Sequence, residues 1–208
     1  MNRFFLEAFA VAGAEIRKLL RDPAELLSRA VQPVLWLAIF GQVFSQVRGI
    51  SAGNLRYLDY MAPGILAQSI LFSSIFYGIS VIWERDLGII HKLLVTPAHR
   101  SALVLGKAIA SGVRGLIQAA FVYLIATALK VNIQWQLQNI LIVAAGVFIG
   151  SCIFSTFSLV IACLVKTREH FMGIGQLLTM PMFFASSSIY PLDLMPPWLR
   201  AIASYNPL

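Results

Sequence analysis

The sequence predicts an all-α integral membrane protein with a cytoplasmic N-terminus, and three observations support this fold class. Of the 208 residues, 59% are hydrophobic and 12% are charged, whereas soluble globular proteins carry about 25% charged residues. Several charge-free runs approach or exceed the roughly 20 residues that a helix needs to cross a bilayer. Lys and Arg are concentrated in alternate loops. This composition excludes a soluble enzyme, a disordered chain and a fibre.

Five transmembrane helices account for the charge-free runs. The predicted spans cover residues 30–47, 60–83, 108–129, 140–165 and 171–190. The third span contains Arg114 about two turns from one end, and we expect its long side chain to reach the nearby membrane surface. A polar stretch over 132–139 precedes the fourth span and is predicted to be an interfacial loop anchored by Trp135.

The orientation follows from the positions of the basic residues. Twelve of the sixteen Lys and Arg residues lie in the N-terminal segment and in or beside the loops after the second and fourth predicted spans. The other four are Arg48, Arg56, Lys130 and Arg200. Because positive charge accumulates on the cytoplasmic side, the N-terminus is predicted to be cytoplasmic. Topology thus explains the net charge of +7, and no nucleic-acid partner is expected.

Residues 1–22 are predicted to form an amphipathic helix that lies in the membrane surface. Apolar residues such as Phe9 and Ile16 recur at helical spacing beside a basic face that includes Arg17. Pro23 suits the first turn of the next helix, so a boundary is expected there. The alternatives are a cleaved signal peptide and a first span displaced towards the N-terminus, and the charges within the segment disfavour both.

No catalytic residue, bound cofactor or metal site is predicted. All nine carboxylates lie outside the predicted spans or at their edges, so no buried proton carrier is expected. The three histidines lie in or beside predicted cytoplasmic loops without a close ligand pair. The phosphate-binding pattern GxxxxGK[ST] is absent from the sequence. Energy for any active transport would therefore come from another subunit.

Small and hydroxyl residues form stripes on the second and fourth spans. The stripe residues are Ser69, Ser73, Tyr77 and Ser80 on the second span, and Gly146, Gly150, Ser151, Ser155 and Ser158 on the fourth. Such residues allow transmembrane helices to approach closely and to form hydrogen bonds across the contact. Helix packing is the expected role, and lining a substrate pathway is the alternative.

The loop after the second span is predicted to contain a short amphipathic helix over residues 84–96. Leu87, Ile90 and Leu94 lie on one side of it, and Pro97 terminates it. The segment is too short and too charged to cross a membrane. A helix joined to two spans can transmit the motion of a cytoplasmic partner into the bilayer. The alternative is an ordinary loop helix on the membrane surface.

This segment and several others resemble permeases of the ABC type-2 exporter family, particularly the daunorubicin-type drug-resistance branch. The resemblance lies in the run E-R-D-x-G-x-x-x-K-L-L-V-T-P that begins at Glu84, in Tyr190-Pro191-Leu192 and in the closing Asn206-Pro207-Leu208. It implies that residues 84–96 form a coupling helix that docks on an ATPase subunit. The implied contact residues are Glu84, Arg85, Asp86, Gly88, Lys92, Leu93, Leu94, Thr96 and Pro97.

The same resemblance implies a multi-pass permease of a bacterial-type inner (plasma) membrane. Such a permease pairs with a second copy of itself, contacts membrane lipid and binds two copies of an ATPase that hold ATP and Mg²⁺. Efflux of a drug or another amphipathic small molecule is expected. Export of a lipid or lipid-linked glycan is the alternative within transport, and a membrane assembly protein or receptor is the alternative outside it.

The C-terminal segment 191–208 is expected to lie at the external surface or to re-enter the membrane shallowly, since its prolines prevent a continuous helix. In the family that the sequence resembles, a sixth span follows the Asn-Pro-Leu motif. Because this chain ends within that motif at Leu208, we expect truncation, with an unusual five-span form as the alternative.

Overall fold

A computed structural model describes residues 2–45, 57–96, 98–186 and 195–206. Over these residues the chain forms helices and no strand, which confirms the all-α prediction. The helices are α1 (Asn2–Arg21), α2 (Pro23–Leu35), α3 (Gly41–Ser45), α4 (Tyr57–Phe76), α5 (Gly78–Asp86), α6 (Ile89–Val95), α7 (Arg100–Ala128), α8 (Leu137–Leu164), α9 (Arg168–Phe184) and α10 (Pro197–Tyr205). A π-helical turn over Trp36–Phe40 joins α2 to α3.

Among the described residues, three helical segments are long and apolar enough to cross a membrane, the first of which comprises α4 and α5. They cover Tyr57–Asp86, Arg100–Ala128 and Leu137–Leu164, and they correspond to the second, third and fourth predicted spans. A shorter apolar helical stretch, Val31–Phe44, lies within the first predicted span. The fifth span corresponds to α9, and its predicted end at 187–190 lies outside the described residues.

The observed boundaries differ most at the cytoplasmic ends of the second and third spans. The second span continues as α5 through the charged residues to Asp86, and α7 begins at Arg100, eight residues before the predicted start at 108. Both differences have one physical cause. Charged side chains are tolerated in these helical ends because neighbouring helices supply their partners, which a rule based on charge-free runs does not anticipate.

The N-terminal helix α1 ends where predicted, since α2 starts at Pro23. Only part of its predicted apolar face, however, is buried. Ala8, Ala12 and Leu19 are buried, while Phe5 and Phe9 remain exposed. The small residues on α1 allow it to pack lengthwise along α7. At the contact, a Cβ atom on Gly106 would lie 2.6 Å from the carbonyl oxygen of Ala8, so only glycine fits. Phe5 and Phe9 are thus left for the membrane surface.

The helices α7 and α8 pack closely because glycines of α7 face larger side chains of α8. A Cβ on Gly112 would lie 2.5 Å from the ring of Phe148, and Ser151 occupies the corresponding space beside Gly115. By contrast, a Cβ on Gly146 or Gly150 would meet no described atom within 4 Å. The glycines that bring these helices together are therefore on α7, and the pair on α8 that suggested close packing faces away.

Candidate functional site at the cytoplasmic end

The predicted coupling helix over 84–96 is divided into two parts. Glu84, Arg85 and Asp86 end α5, which continues the second span, and a turn at Leu87 and Gly88 leads into α6. Gly88 has a φ of 71°, a left-handed conformation that favours glycine. The amide of Gly88 donates to the carbonyl of Arg85 at 3.0 Å, which closes the turn. Only the seven residues of α6 form a separate short helix.

Residues of α6 and its flanking turns are largely exposed. Leu87 is 66% exposed and Val95 is 87% exposed, and Lys92 and Thr96 are exposed as well. The side chain of Leu94 and all of Pro97 lie outside the described residues, so their predicted contact role is not described by the structure. An exposed apolar surface on a short charged loop is typical of an interaction site.

Glu84 is buried in a cluster of four charged residues, the charge cluster, which consists of Glu15, Lys18, Glu84 and Lys107. Lys107 Nζ lies 2.7 Å from Glu84 Oε2 and 2.9 Å from Glu15 Oε1. Lys18 Nζ lies 2.6 Å from Glu84 Oε1 and 3.2 Å from Glu15 Oε1. Both carboxylates are thus shared between two ammonium groups, which gives each buried charge a partner.

The charge cluster joins α1 to the helices on either side of α6. Burial acts to raise the pKa of the Glu15 carboxyl, but the charge and hydrogen bond of Lys107, followed by those of Lys18, hold it below its usual value. Burial acts to lower the pKa of Lys18, but its hydrogen bond to Glu84 and the two carboxylate charges raise it. The Glu15 carboxylate and the Lys18 ammonium are therefore both charged near neutral pH.

Tyr77 lies below the charge cluster, towards the membrane interior. Its ring centroid is 5.9 Å from Lys107 Nζ and 4.8 Å from the guanidinium carbon of Arg114. Arg114 is only 7% exposed. The prediction that it extends to the membrane surface is wrong, because its charge lies over an aromatic face inside the bundle.

Arg85 and Asp86 connect the end of α5 to the loop between α8 and α9. Arg85 donates hydrogen bonds to the carbonyls of Val165 at 2.9 Å and Lys166 at 2.7 Å, which lie at and just after the C-terminal end of α8. Asp86 accepts a hydrogen bond from Arg168 at 2.8 Å. The Arg168 guanidinium also lies 3.4 Å above the ring of Trp83. These contacts attach the segment before α6 to the fourth and fifth spans.

Comparison with known proteins identifies the family. The family model for ABC-2 type transporters matches residues 7–208, nearly the whole chain.

The chain belongs to the ABC-2 type transporter family.

Relatives of this ABC-2 chain are transport permeases and related proteins. The transport permease ycf38 of Cyanophora paradoxa is 30% identical over 207 residues, which is 99% of this chain and 71% of the relative. Nodulation protein J of Neorhizobium galegae is 22% identical over 188 residues, 89% of this chain and 70% of the relative. The daunorubicin resistance ABC transporter permease protein DrrB1 of Streptomyces coeruleorubidus is 20% identical over 190 residues, 89% of this chain and 65% of the relative.

The ABC-2 chain thus spans between 65% and 71% of the length of these three relatives. No solved structure is significantly similar to it. Among the described residues, no three His, Cys, Asp or Glu side chains are grouped so that they could hold a metal ion.

The hydroxyl stripes of this ABC-2 chain are covered by its own helices. Ser69, Ser73, Tyr77, Ser151 and Ser155 are all buried, and Ser80 is half-buried. Ser69 donates to the carbonyl of Leu66 at 2.8 Å, and Ser80 donates to that of Tyr77 at 2.7 Å. This burial favours the packing role, and pathway lining by these residues stays a prediction.

Sequence reasoning did not find three of the four members of the charge cluster. Glu15, Lys18 and Lys107 were assigned to a surface helix and a loop, where charges are ordinarily solvated. A signal was nevertheless present in the spacing. Tyr77 and Glu84 are seven residues apart on one helix, as are Lys107 and Arg114 on the next, so each pair lies on one helix face. Two such complementary faces on consecutive spans indicate a contact.

Proposed function

We propose that this ABC-2 chain is the permease subunit of an ATP-driven exporter and that α6 with its preceding turn binds a separate ATPase subunit. The observation that carries the proposal is the exposure of Leu87, in the turn before α6, and of Val95, at the end of α6, between two spans. A partner that covers these side chains removes apolar area from water, which favours association. Lys92 adds an exposed charge to the same surface.

The anchoring of α5 and α7 supports a lever role for α6. Force on α6 acts on α5 through the Gly88 turn and on α7 through the residues before Arg100. The charge cluster links both helices to α1. Arg85 and Asp86 extend the connection to the loop between α8 and α9. Displacement of one short helix is therefore resisted by a connected set of spans, which then move together.

The complex we propose contains two permease copies and two ATPase copies in the plasma membrane. The ATPases supply the nucleotide site, with ATP and Mg²⁺, and this chain supplies the pathway. Efflux of a drug or another amphipathic small molecule is the substrate class we propose, on the basis of the likeness to the daunorubicin resistance permease. Homodimerisation and the membrane assignment rest on the same likeness.

The test is co-purification of the tagged full-length permease with a candidate ABC ATPase subunit, followed by ATP hydrolysis in lipid. We expect Val95→Asp and Lys92→Glu to weaken the complex, since both side chains are exposed on the binding surface. Tyr205→Asp is the matched control, because Tyr205 is 91% exposed on α10 at the opposite end of the chain. Wild-type binding and hydrolysis in both α6 variants would refute the proposed contact.

Gly88→Pro provides a second test that separates binding from coupling. Proline fixes φ near −65° and cannot adopt the left-handed turn at this position. We expect the ATPase to bind less tightly or to hydrolyse ATP at an altered rate, with transport reduced in either case. Unchanged transport would show that the turn does not transmit motion.

A further inference from the structure

Two neighbouring cavities open at the external end of α4, α7 and α8. The first, about 740 Å³, lies between α7 and α8 and is lined almost entirely by apolar side chains, including Leu116, Leu124 and Ile140. The second, about 680 Å³, lies between α4, α7 and the loop before α8. Both have Tyr123 and Val143 in their walls. The first cavity is called the apolar groove below, and the second cavity also has polar side chains in its lining.

The second cavity carries a carboxylate and several amides. Asp59, Asn132, Gln134 and Asn139 contribute to its lining. Asp59 is half-buried and accepts a hydrogen bond from the backbone amide of Asn132 at 2.8 Å. Among the described residues, no Lys, Arg or His nitrogen forms a salt bridge with this carboxylate. A negative charge next to an apolar groove favours a ligand that brings a positive charge.

Two aromatic side chains lie where the apolar groove meets the second cavity, which contains Asp59. The rings of Tyr123 and Trp135 are 6.5 Å apart in an edge-to-face arrangement, and both line the first cavity. Trp135 is 62% exposed, so its ring is free to contact a ligand. Aromatic faces attract ammonium groups, and quaternary ammonium compounds are bound in this way. The aromatic pair and Asp59 therefore select the same headgroup charge.

The apolar groove also has the length of an alkyl chain. Its lining on α7 runs from Leu116 to Ala128, which is about 18 Å along the helix axis. Small residues such as Ala120 and Ala144 form much of the wall. The groove follows α7 in the direction in which lipid chains lie, so a single alkyl chain can lie along it.

We infer that this end of the protein binds a cationic amphiphile, with one alkyl chain in the groove between α7 and α8 and an ammonium headgroup held by Asp59 and the aromatic pair. The site is remote from α6 and the charge cluster, which lie at the opposite end of the same spans. Binding at this site does not require an ATPase subunit, so it can be tested independently of the proposed export function.

The experiment uses the full chain in phosphatidylcholine nanodiscs without an ATPase. The probe is a dodecyl dimethylammonium compound that carries a nitroxide on its headgroup, and the readout is quenching of Trp135 fluorescence. A Trp135→Phe variant gives the signal of the other three tryptophans for subtraction. Nitroxide probes with the same chain and either a sulfate or an uncharged headgroup report partitioning into lipid alone.

Saturable quenching by the ammonium probe, with much weaker quenching by the other two, is the expected result. Asp59→Asn should weaken the apparent affinity about fivefold, the effect of losing one partly exposed ion pair. Glu169→Gln is the charge-matched control at the other end of the protein, where Glu169 is exposed. Equal quenching by all three probes, or equal affinities in the two variants, would overturn the inference and leave only ordinary lipid contact.

A second pair of variants tests the groove itself. Ala144→Phe places a ring in the groove, whereas Ala145→Phe adds the same ring at an exposed neighbouring position that does not line it. We expect loss of saturable binding in the first variant and wild-type binding in the second. Retained binding in Ala144→Phe would place the alkyl chain elsewhere and contradict the proposed site.

Discussion

Lys107 Nζ lies 2.7 Å from Glu84 Oε2, and the two side chains are 10% and 8% exposed. This contact joins α7 to the end of α5, immediately before the turn that leads into α6. Because Lys107 also binds Glu15 of α1, one ammonium group holds three helices together. The cytoplasmic end of the bundle is therefore organised by buried charge rather than by apolar packing alone.

Replacing Lys107 with Met should destabilise the protein by about 3–5 kcal/mol, because Glu15 and Glu84 would remain buried with one fewer cation. The measurement is the free energy of unfolding in a mild detergent. Lys166→Met is the control, since Lys166 is exposed. Adding Glu15→Gln and Glu84→Gln to Lys107→Met should recover much of the loss. Equal stability of Lys107→Met and wild type would show that the charge cluster is not a buried ion-pair network.

Replacing Gly106 with Val should detach α1 from α7. The new side chain would collide with the Ala8 carbonyl and with Val11, at a cost of about 1–3 kcal/mol. Hydrogen exchange of the α1 amides is the measurement, and we expect it to accelerate. Gly146→Val introduces the same side chain where no described atom lies within 4 Å, so exchange in α1 should not change. Similar exchange in both variants would argue against the α1–α7 contact.

Replacing Arg85 with Met should loosen the loop between α8 and α9. The carbonyls of Val165 and Lys166 would lose a charged donor, and hydrogen bonds of this kind contribute about 1.5–3 kcal/mol each at most. Limited proteolysis near residues 164–168 should become faster. Arg100→Met, at an exposed position, is the control. Unchanged cleavage in Arg85→Met would mean that Arg85 does not hold this loop.

Acidification should release the N-terminal part of α1 from the start of α7. The backbone amide of His99 donates to Glu7 at 2.9 Å, and this hydrogen bond, with that to the His99 side chain, lowers the pKa of Glu7 below its usual value of 4.5. A lowered folded-state pKa contributes stability above the unfolded pKa, and this contribution is lost as the pH falls through the folded-state pKa.

The measurement is the hydrogen-exchange protection factor of the His99 amide between pH 3 and pH 6, corrected for the intrinsic pH dependence of exchange. Protection should fall at the acidic end in the wild type. In Glu7→Gln the protection should be lower throughout and should not vary with pH in this way. An identical pH dependence in the two proteins would exclude Glu7 as the titrating group.

The sequence alone determined the helical class, the approximate positions of the second, third and fourth spans and the break between α1 and α2. These features depend on local properties, namely hydropathy over about 20 residues and the backbone restriction at Pro23. The charged loop between the second and third spans was also predictable, because its charges are contiguous in the chain. The sequence predicted one helix over 84–96, however, where the structure has a turn at Leu87 and Gly88. The coupling role of this segment stays a prediction from the family resemblance.

Only the tertiary structure decided which charges are buried and what they bind. Glu15 and Lys107 are 92 positions apart, so no local pattern brings them together. The contact of Arg114 with the Tyr77 ring and the hydrogen bond of Arg85 to the end of α8 also join residues that are distant in sequence. From the sequence, Arg114 was expected to reach the membrane surface and Arg85 to bind a partner. A charge is solvated or buried according to the helices that surround it, and that arrangement is a property of the packed bundle rather than of any one segment.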